Sequence, residues 1–373
     1  MKNVLVTGGA GFIGSFLIDD LIQKGYKVVS IDSLEDQVHK GQKPSYLNPR
    51  CDYRWAKCSD RDLLRKVLPA IDVVVHLAAI VGVGQSMYQI ARYTEGNTLA
   101  TAVRLEEMAQ FKGSLKKIIV ASSMSVYGEG CCALSSGKIC YPELRSESQL
   151  KRRFWDLIDP VTSETLKPLP TSEDKPLRPA SIYAIGKRDQ EEMCMVFGKT
   201  YGVPCTALRF FNIYGSRQAL SNPYTGVAAI FSSRLLLHQA PLVFEDGNQM
   251  RDFIHISDVL QALMLVLSKD SADFEVFNIG SGVPISVNTI AEILSKKVTG
   301  GKIKPIITNQ YRAGDVRHCY SDISKAKKML NFSPNYRFED GADELVGWVK
   351  SQVMPQDNFS EALRHAQDKG IIS

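Results

Sequence analysis

The sequence predicts an α/β protein built on a doubly wound parallel sheet, with a smaller α/β lobe contributed by its second half. Two observations predict this fold. Short runs of β-branched apolar residues alternate with stretches of helical periodicity through the first half of the chain, and a glycine-rich turn follows the first run. Such alternation is typical of βαβ units, whose strands form a parallel sheet covered by helices on both faces.

The first half is interpreted as five strands and four helices, identified by apolar runs or by apolar residues at helical spacing. In chain order the predicted elements are strand 4–7, helix 14–24, strand 27–31, helix 61–68, strand 73–77, helix 98–110, strand 117–121, helix 183–201 and strand 205–210.

The second half has a less regular pattern, because glycine and proline interrupt it. Two strand-like runs remain there, at residues 252–255 and 275–279. We expect a first domain over residues 1–213, which takes back a strand from about 270–282, and a smaller lobe over 214–373.

Composition and charge argue against several classes of protein. The 373 residues are 44% hydrophobic and 23% charged, and the net charge of +5 comes from basic residues scattered among acidic ones. This balance disfavours nucleic-acid binding and suits a small anionic ligand. No apolar run reaches the roughly 18–20 residues that cross a bilayer, and the N-terminus lacks the apolar segment of a signal peptide. We expect a cytoplasmic protein that binds neither nucleic acid nor membrane.

Eight cysteines are present, none of them in a Cys-x-x-Cys pair. In a cytoplasmic chain such residues are reduced thiols that mostly fill packing positions. A zinc site at Cys131, Cys132 and Cys140 is the alternative, but a second ligand pair at metal spacing is missing. We therefore expect no metal.

A long polar segment, residues 129–179, contains several charges and prolines and a short helical stretch at 148–157. Loops of this length are usually functional or mobile. Two interpretations stay open: a surface insertion, and a flap that touches a substrate or a partner subunit.

The turn after the first predicted strand contains Gly8, Gly11 and Gly14. Glycine permits a tight turn and lets backbone N–H groups approach a pyrophosphate, while the following helix adds the partial positive charge of its N-terminus. Glycines alone would indicate only a turn. Between a strand and a helix they predict a Rossmann-like, dinucleotide-binding domain.

Two aspartates follow strand-like runs of this domain. Asp32 ends the second strand, where a carboxylate accepts hydrogen bonds from the adenosine ribose and repels a 2′-phosphate, so NAD is favoured over NADP. Asp60 follows the third strand-like region. It either meets the adenine or caps the next helix, and both interpretations stay open.

Tyr183 and Lys187 are four residues apart, so a helix places them on the same face. Tyrosine alone is a poor base at pH 7 because its pKa is near 10. A nearby ammonium and the nicotinamide cation would lower that pKa, which suits general acid–base catalysis at neutral pH. This spacing is common by accident, but beside a dinucleotide-binding turn it predicts a catalytic pair.

Two serines, Ser122 and Ser123, directly follow the predicted strand 117–121. Side chains at the carboxyl end of a parallel strand face the ligand crevice. Ser123 is therefore predicted to hydrogen-bond a sugar hydroxyl and Tyr183. A serine turn at a strand end is the alternative.

Several motifs occur together in this chain. They are the glycine turn, His76-Leu77-Ala78-Ala79, Asn97, Ser122-Ser123-x-Ser125-Val126-Tyr127-Gly128, Tyr183-x-x-x-Lys187 and Arg209-Phe210-Phe211-Asn212-Ile213-Tyr214-Gly215. With them the sequence, over roughly residues 1–350, resembles the extended short-chain dehydrogenase/reductase family of nucleotide-sugar epimerases and dehydratases. The resemblance implies NAD as cofactor, a nucleotide-diphosphate sugar as substrate, and a homodimer formed through the helices near 98–110 and 183–201.

The resemblance also implies roles for single residues. Ser123 and Tyr183 would flank the reacting sugar hydroxyl, and Lys187 would hold the nicotinamide ribose. The implied cofactor site comprises Gly8, Gly11, Phe12, Ile13, Gly14, Asp32, Ser33, Asp60, Leu77, Ala78, Ala79, Asn97, Ser122, Tyr183, Lys187 and Phe210. The implied substrate site comprises Ser123, Asn212, Arg251, Arg312 and Asp315.

In this implied substrate site, Asn212, Arg251 and Arg312 would approach the diphosphate, and Asp315 the nucleotide ribose. A guanidinium fork matches phosphate oxygens well. Without the resemblance, each arginine would be interpreted as a surface or ion-pair residue.

Positions 124 and 125 distinguish reactions within the family. Sugar 4,6-dehydratases carry an Asp-Glu pair there, whereas this chain has Met124 and Ser125, which cannot supply the acid and base for water loss. The 3,5-epimerase pattern, with a cysteine beside the serine, is also absent. The resemblance thus implies a 4-epimerase that acts through a transient 4-keto sugar. A nucleotide-4-keto-sugar reductase and a catalytically silent NAD-binding protein are the alternatives.

Three segments, at residues 82–88, 121–130 and 218–226, resemble one subgroup of this family, the dTDP-L-rhamnose 4-epimerases. This resemblance implies a dTDP-6-deoxyhexose such as dTDP-L-rhamnose as substrate. Some members of the subgroup carry cysteine pairs in the long insertion, and this chain does not.

Overall fold

The computed structural model describes residues 2–111, 113–220, 226–312, 314–352 and 358–373. The strands are β1 (Asn3–Thr7), β2 (Lys27–Asp32), β3 (Asp52–Trp55), β4 (Val73–His76), β5 (Lys117–Ser123), β6 (Cys131–Ala133), β7 (Ile139–Cys140), β8 (Lys167–Leu169), β9 (Cys205–Phe210), β10 (Asn212–Tyr214), β11 (Leu242–Val243), β12 (Met250–His255), β13 (Val276–Ile279), β14 (Pro284–Ser286) and β15 (Ile306–Ile307).

The helices of the described chain surround these strands. They are α1 (Phe12–Gln23), α2 (Asp36–His39), α3 (Arg61–Val67), α4 (Val83–Ser86), α5 (Ile90–Tyr93), α6 (Ala100–Gln110), α7 (Glu147–Lys151), α8 (Ile182–Tyr201), α9 (Val227–Leu236), α10 (Ile256–Ser268), α11 (Val287–Thr299), α12 (Ser324–Leu330), α13 (Phe338–Ser351) and α14 (Asn358–Asp368). A π-helical stretch, Thr94–Leu99, leads into α6. Among the described helices, none combines the length and apolarity needed to cross a membrane.

Seven parallel strands form the central sheet, in the order β13-β9-β5-β4-β1-β2-β3. The strand order reverses at β1, because the chain first adds β2 and β3 on one side of it and then β4 and β5 on the other. A reversal of this kind opens a crevice at the carboxyl ends of the two strands that flank it. The predicted doubly wound α/β fold is confirmed.

Burial on both faces of the sheet explains why its strands appear as continuous apolar runs in the sequence. On β1, Val4 and Val6 pack in a cluster with residues of α1 and α10, whereas Leu5 packs in another with residues of α3, α6 and α8. All three side chains are fully buried. Burial of such a side chain stabilises the fold by about 1.5–3 kcal/mol, so both helical layers hold the sheet in place.

The two strands predicted in the second half of the chain, at residues 252–255 and 275–279, belong to two different sheets. β13 joins the central sheet in parallel with β9, whereas β12 pairs with β10 and β14 in a separate three-stranded sheet. The smaller lobe formed there has a core that includes Tyr214, Phe253 and Phe338. Helices α9, α11 and α13 surround this core.

Residues 129–179 form a small ordered unit. β6 pairs antiparallel with both β7 and β8. Helix α7 is shorter than the predicted stretch 148–157, and Arg153 just after it has a positive φ of 57°. Trp155 then packs with Leu150 and with Tyr311 of the smaller lobe, so this unit is attached to that lobe.

A buried ion pair joins several elements at the carboxyl edge of the sheet. Arg209 on β9 and Glu191 on α8 lie 2.6 Å apart, with both side chains at most 6% exposed. Glu191 also accepts a hydrogen bond from Ser122 at 2.5 Å. Arg209 donates to the Tyr127 hydroxyl at 2.8 Å and to the Glu173 carbonyl at 3.0 Å. The pair thereby connects α8, β5, β9 and the 129–179 unit.

Glu191→Ala should lower the free energy of unfolding by about 3–5 kcal/mol, because it leaves the Arg209 guanidinium buried without its partner. The matched control is Glu192→Ala on the same helix, whose pair with Arg188 is 42–50% exposed. The control should cost less than about 1 kcal/mol. Urea denaturation measures both values, and equal losses would contradict the structural role of the buried pair.

Candidate active site

A cleft of about 1900 Å³ extends from the strand-order reversal of the central sheet into the smaller lobe. Fourteen of the predicted cofactor residues line it: Gly8, Gly11, Phe12, Ile13, Gly14, Asp32, Ser33, Leu77, Ala78, Ala79, Ser122, Tyr183, Lys187 and Phe210. The predicted substrate residues line it as well: Ser123, Asn212, Arg251, Arg312 and Asp315.

The glycine turn between β1 and α1 has no room for side chains. Gly8 has a φ of +76°, and a Cβ atom on Gly14 would lie 2.2 Å from the Gly8 carbonyl oxygen. Gly11 directly precedes α1 and has no side chain that could accept from the first N–H groups of the helix. The first turn of α1 also holds no acidic residue. The first N–H groups of this helix are therefore left for an anionic ligand, which suits the pyrophosphate of a dinucleotide.

Asp32 places a buried carboxylate at the end of β2. One of its oxygens accepts from the Ala10 N–H at 2.9 Å and the other from the Leu34 N–H at 2.8 Å. These two bonds hold the carboxylate against the glycine turn while its edge still lines the cleft. An anion in this position suits ribose hydroxyl donors and opposes a 2′-phosphate.

Asp60 and Asn97 do not line the cleft. Asp60 precedes α3, and its carboxylate accepts from the Leu63 N–H at 3.0 Å. Of the two interpretations of Asp60, this contact corresponds to the helix cap. Asn97 is fully buried, and its amide accepts from the Ile80 N–H at 2.7 Å and donates to the Ile80 carbonyl at 3.1 Å. Asn97 thus holds the segment after β4, and that segment lines the cleft.

The first turns of α8 carry the predicted catalytic pair. Ser181 caps this helix by accepting from the Ala184 N–H at 3.1 Å. Tyr183 and Lys187 are 9% and 4% exposed, and both line the cleft. The Lys187 ammonium donates to the Gln190 side-chain oxygen at 2.9 Å, which leaves further N–H groups for a ligand.

Burial controls the protonation of this pair. It raises the pKa of Tyr183 to about 12, and the hydrogen bond with Ser123 lowers that pKa only in part. Burial also lowers the pKa of Lys187 to about 8. Desolvation of the phenolate dominates this shift in the protein chain by itself, whereas the sequence-based expectation of a lowered Tyr183 pKa refers to the site with the nicotinamide cation present. Ionisation of Tyr183 at neutral pH therefore requires additional positive charge in the cleft.

Ser123 is oriented by its neighbour Ser125. The Ser123 oxygen accepts from the Ser125 N–H at 3.2 Å and from the Ser125 hydroxyl at 3.0 Å. With its oxygen engaged in this way, the Ser123 O–H is left to donate. The serine turn and the functional role, treated as alternatives above, are therefore compatible.

A buried polar network supports Lys187 from below. Gln190 contacts the His76 Nε2 atom at 3.0 Å, and Arg104 contacts the same atom at 2.7 Å. Because a guanidinium only donates, Nε2 is the acceptor, and Nδ1 carries the proton toward the Thr7 hydroxyl at 2.8 Å. Burial, aided by the Arg104 charge, lowers the His76 pKa well below its usual value, so this imidazole is neutral.

Arg104 and Gln190 were not among the predicted site residues. Arg104 is 2% exposed, and within the described chain no carboxylate forms an ion pair with it. The available signal in the sequence was an arginine at a position whose helical spacing places it on the inward face of the predicted helix. Arginine is rarely buried without a specific partner. The sequence motif identified His76 but neither of its two donors.

On the opposite side of the cleft, Arg251 is committed to its own lobe. Its guanidinium donates to the backbone carbonyls of Val316 at 2.5 Å and of Arg317 at 3.0 Å, and it lies 3.7 Å from the Asp315 carboxylate. Arg251 therefore shapes the loop that carries Asp315. Its charge still faces the cleft.

Arg312 and Asn212 have capacity for a ligand. The Arg312 guanidinium stacks over the Phe244 ring at 4.5 Å. The side-chain oxygen of Asn212 is buried and has no hydrogen-bond partner among the described residues. Such an unsatisfied group is costly unless a ligand or water pairs with it.

A cluster of charged residues, which the sequence did not predict, holds the loop that carries Asp315 against the 129–179 unit. Arg145 forms bonds of 2.8 and 2.9 Å to Glu245 and also donates to the Asp315 carbonyl at 3.1 Å. Glu129 accepts from the Arg317 N–H at 2.8 Å. Burial raises the pKa of Glu129 to about 7. These residues are far apart in sequence, so no local pattern indicated their contact.

The segments at residues 82–88, 121–130 and 218–226, which resemble the dTDP-L-rhamnose 4-epimerase subgroup, each contribute some residues to the lining of this cleft. Its lining includes Val83 and Gly84 from the first segment, Ser122 to Ser125 and Gly128 from the second, and Gln218, Ala219, Leu220 and Gly226 from the third. Residues 221–225 of the third segment lie outside the described residues.

Two family sequence models match the chain. The model of the NAD-dependent epimerase/dehydratase family matches residues 4–143, and the GDP-mannose 4,6-dehydratase model matches residues 164–345. A dTDP-L-rhamnose 4-epimerase of Burkholderia thailandensis is 32% identical over 355 residues, which cover 94% of this chain and 96% of that protein. The chain belongs to the extended short-chain dehydrogenase/reductase family of nucleotide-sugar epimerases.

Further members of the epimerase family are similar over nearly their full length. A putative UDP-glucose 4-epimerase of Methanocaldococcus jannaschii is 32% identical, with 93% of this chain and 98% of that one covered. The structure of a UDP-glucose 4-epimerase from Thermotoga maritima with UDP-glucose is 31% identical, has a TM-score of 0.76, and covers 94% of this chain and 99% of that one. The predicted family is confirmed.

A structure of the Bacillus cereus UDP-glucuronic acid 4-epimerase with UDP-glucuronic acid and NAD has the same TM-score of 0.76, at 30% identity and with 94% and 99% of the two chains covered. As an epimerase of this family, the chain is an isomerase, and its cofactor is NAD. Both predictions are confirmed. The glycine turn and Asp32 form a site that fits this cofactor.

Asp32→Asn should weaken NAD binding by about ten- to a hundredfold, because it removes a charge-assisted acceptor worth roughly 1.5–3 kcal/mol. Its affinity ratio for NAD over NADP should fall as well. The control is Asp52→Asn on the adjacent strand, where the carboxylate is exposed and pairs with Arg54. Calorimetric titration of cofactor-free protein measures both, and unchanged NAD affinity in Asp32→Asn would exclude the proposed ribose contact.

Proposed function

We propose that this epimerase inverts the configuration at C4 of a nucleotide sugar through a transient 4-keto sugar. The observation that carries the proposal is the position of Tyr183, Ser123 and Lys187 on one cleft, between the glycine turn and the arginines of the smaller lobe. In this proposal the sugar lies beside Tyr183, and the diphosphate lies near Asn212 and Arg312.

NAD, held by the glycine turn and Asp32, would supply the acceptor and donor of the C4 hydride. Tyr183 removes the proton of the sugar 4-hydroxyl as the carbonyl forms. Ser123 donates a hydrogen bond to the sugar oxygen, and the Lys187 ammonium favours the phenolate form of Tyr183. After the 4-keto sugar has turned over, Tyr183 returns the proton to O4.

Two features support epimerisation over the other reactions of the family. Met124 and Ser125 stand where a dehydratase needs a carboxyl pair, and both line the cleft, so water loss from the sugar lacks its acid and base. Ser123 and Tyr183, the two groups that proton exchange at O4 requires, are both present. A reductase would release oxidised cofactor after each turnover, whereas an epimerase regenerates its cofactor.

We further propose a dTDP-6-deoxyhexose such as dTDP-L-rhamnose as the substrate. The support is the similarity to the Burkholderia thailandensis protein together with the segments at 82–88, 121–130 and 218–226, which resemble that subgroup. UDP-sugars are the competing substrates, since relatives of similar identity carry UDP-sugar names.

The deciding experiment incubates the purified protein with dTDP-, UDP- and GDP-sugars without added NADH and follows the configuration at C4 by NMR. Conversion between two C4 epimers with no net cofactor consumption is the expected result and names the substrate. Turnover only of a 4-keto sugar, with stoichiometric loss of NADH, would replace the proposal with the reductase alternative.

Tyr183→Phe should lower kcat by about 10²–10⁴-fold, because it removes the group that exchanges the O4 proton. The matched control is Tyr201→Phe at the end of the same helix, where the side chain is 41% exposed. The control should retain full activity, and thermal melting should be unchanged in both variants. Substantial turnover by Tyr183→Phe would remove Tyr183 from its proposed role.

We also propose a homodimer formed through α6 and α8. Ile185 and Val196 on α8 are 43% and 63% exposed, and their spacing of about three turns places them on one face. Leu99, just before α6, is 53% exposed. Val196→Glu should therefore shift the species seen by light scattering from dimer to a 41.4 kDa monomer, and a wild-type protein that is already monomeric would refute this interface.

A further inference from the structure

The C-terminal helix α14 places its apolar face on the cleft. Phe359, Ala362, Leu363 and Ala366 recur at helical spacing, and all four line the cleft. The outward residues include Glu361 and Arg364, which are exposed. An amphipathic helix normally buries such a stripe against a core, so this one contributes to the wall of a ligand site.

The end of the chain is joined to the predicted diphosphate-binding segment. Tyr311 and Ser373 exchange two backbone hydrogen bonds of 2.9 and 3.0 Å, and Ile372 forms a β-bridge with Arg312. Ile372 is 7% exposed and also lines the cleft. The position of the Arg312 backbone therefore depends on the last residues of the chain.

Contacts on both sides of the cleft hold α14 in this position. Arg234 on α9 is 8% exposed, donates to the Ser360 hydroxyl at 3.3 Å and lies 5.4 Å from the centre of the Phe359 ring. Tyr88, from the first domain, has its ring centroid 5.1 Å from that of His365. The helix thus touches both the smaller lobe and the segment at 82–88.

The smaller lobe also lines the cleft with apolar side chains and a cation. Phe244 stacks under Arg312, and Leu242, two residues before Phe244, lines the cleft together with Ile230 and Val287. A guanidinium next to an apolar slot matches a diphosphate joined to a flat heterocyclic base. Tyr183 and Ser123 stand in the first domain, so the sugar end of the ligand points away from this slot.

We propose that α14 and residues 371–373 form one wall of the site for the nucleoside half of the substrate. The helix lies beyond residue 345, where the match to the family model ends. The proposal rests on the proposed function, because it takes a nucleotide sugar as the ligand of the cleft. Its occupant is the nucleoside diphosphate, bound by apolar contact to the base and by Arg312 to the phosphates.

The test measures binding of dTDP and UDP to NAD-loaded protein by calorimetry, which requires no turnover. Three proteins are compared: the full chain, Leu363→Ala, and a chain that ends at Gln352. We expect Leu363→Ala to raise the Kd of the diphosphate that the full chain binds by about three- to tenfold, because it removes apolar contact area from a half-buried aliphatic side chain. The shortened chain should raise this Kd further. In turnover assays KM should rise more than kcat falls.

Glu361→Ala, on the exposed face of the same helix, is the matched control and should leave both Kd values unchanged. If the shortened chain fails to fold, Leu363→Ala with an unchanged melting temperature decides the question alone. Equal diphosphate affinity in Leu363→Ala and the full chain overturns the proposal, as does absence of diphosphate binding by the full chain. Diphosphate binding that Leu363→Ala weakens, together with no epimerisation of any sugar tested, would support the wall and refute the proposed reaction.

Discussion

The buried pair of Arg209 and Glu191 is the interaction on which the arrangement of the site depends. Two charges enclosed at the carboxyl edge of the sheet are tolerated only when their remaining hydrogen-bonding capacity is used, and here it is used by Ser122, Tyr127 and the backbone of Glu173. Ser122 precedes Ser123, the proposed sugar contact, and Glu191 lies one helical turn beyond Lys187. The same pair therefore connects the end of β5 to the helix that carries Tyr183 and Lys187.

The cofactor side and the substrate side of the cleft are built in different ways. On the cofactor side, backbone packs closely against backbone: a Cβ atom on Gly14 would collide with Gly8, and one on Gly8 would press on the backbone of Ala78. On the substrate side, the loop around Asp315 is held by charges from Arg145, Arg251 and Glu129. The backbone turn suits the pyrophosphate of NAD, whereas the shape of the proposed sugar side depends on the side-chain contacts that hold this loop.

Burial shifts the pKa values of the proposed acid–base residues away from their values in water, although Tyr183 stays neutral at pH 7. A neutral Tyr183 and a Lys187 with its pKa lowered to about 8 mean that the chain alone does not hold a ready phenolate. The neutral His76 imidazole accepts a hydrogen bond from Arg104 and so holds the guanidinium, a fixed cation, near Lys187. In the reaction proposed above, activation of Tyr183 depends on occupancy of the cofactor site, because the nicotinamide cation would supply the positive charge that favours the phenolate.

The sequence by itself determined the parallel sheet except for β3, the cofactor turn, and the residues facing the cleft except for Asp60 and Asn97. Strand periodicity, glycine spacing and a tyrosine–lysine pair on one helix face are local properties of the chain. The sequence left Asp60 open between two roles, and only the structure places that carboxylate on the Leu63 N–H. Tertiary structure alone decided the position of β12 outside the central sheet, the cluster around Glu129 and Arg317, and the contact of α14 with the cleft. Each of these depends on residues distant in sequence, whose proximity arises from packing and from the cost of burying unpaired charge.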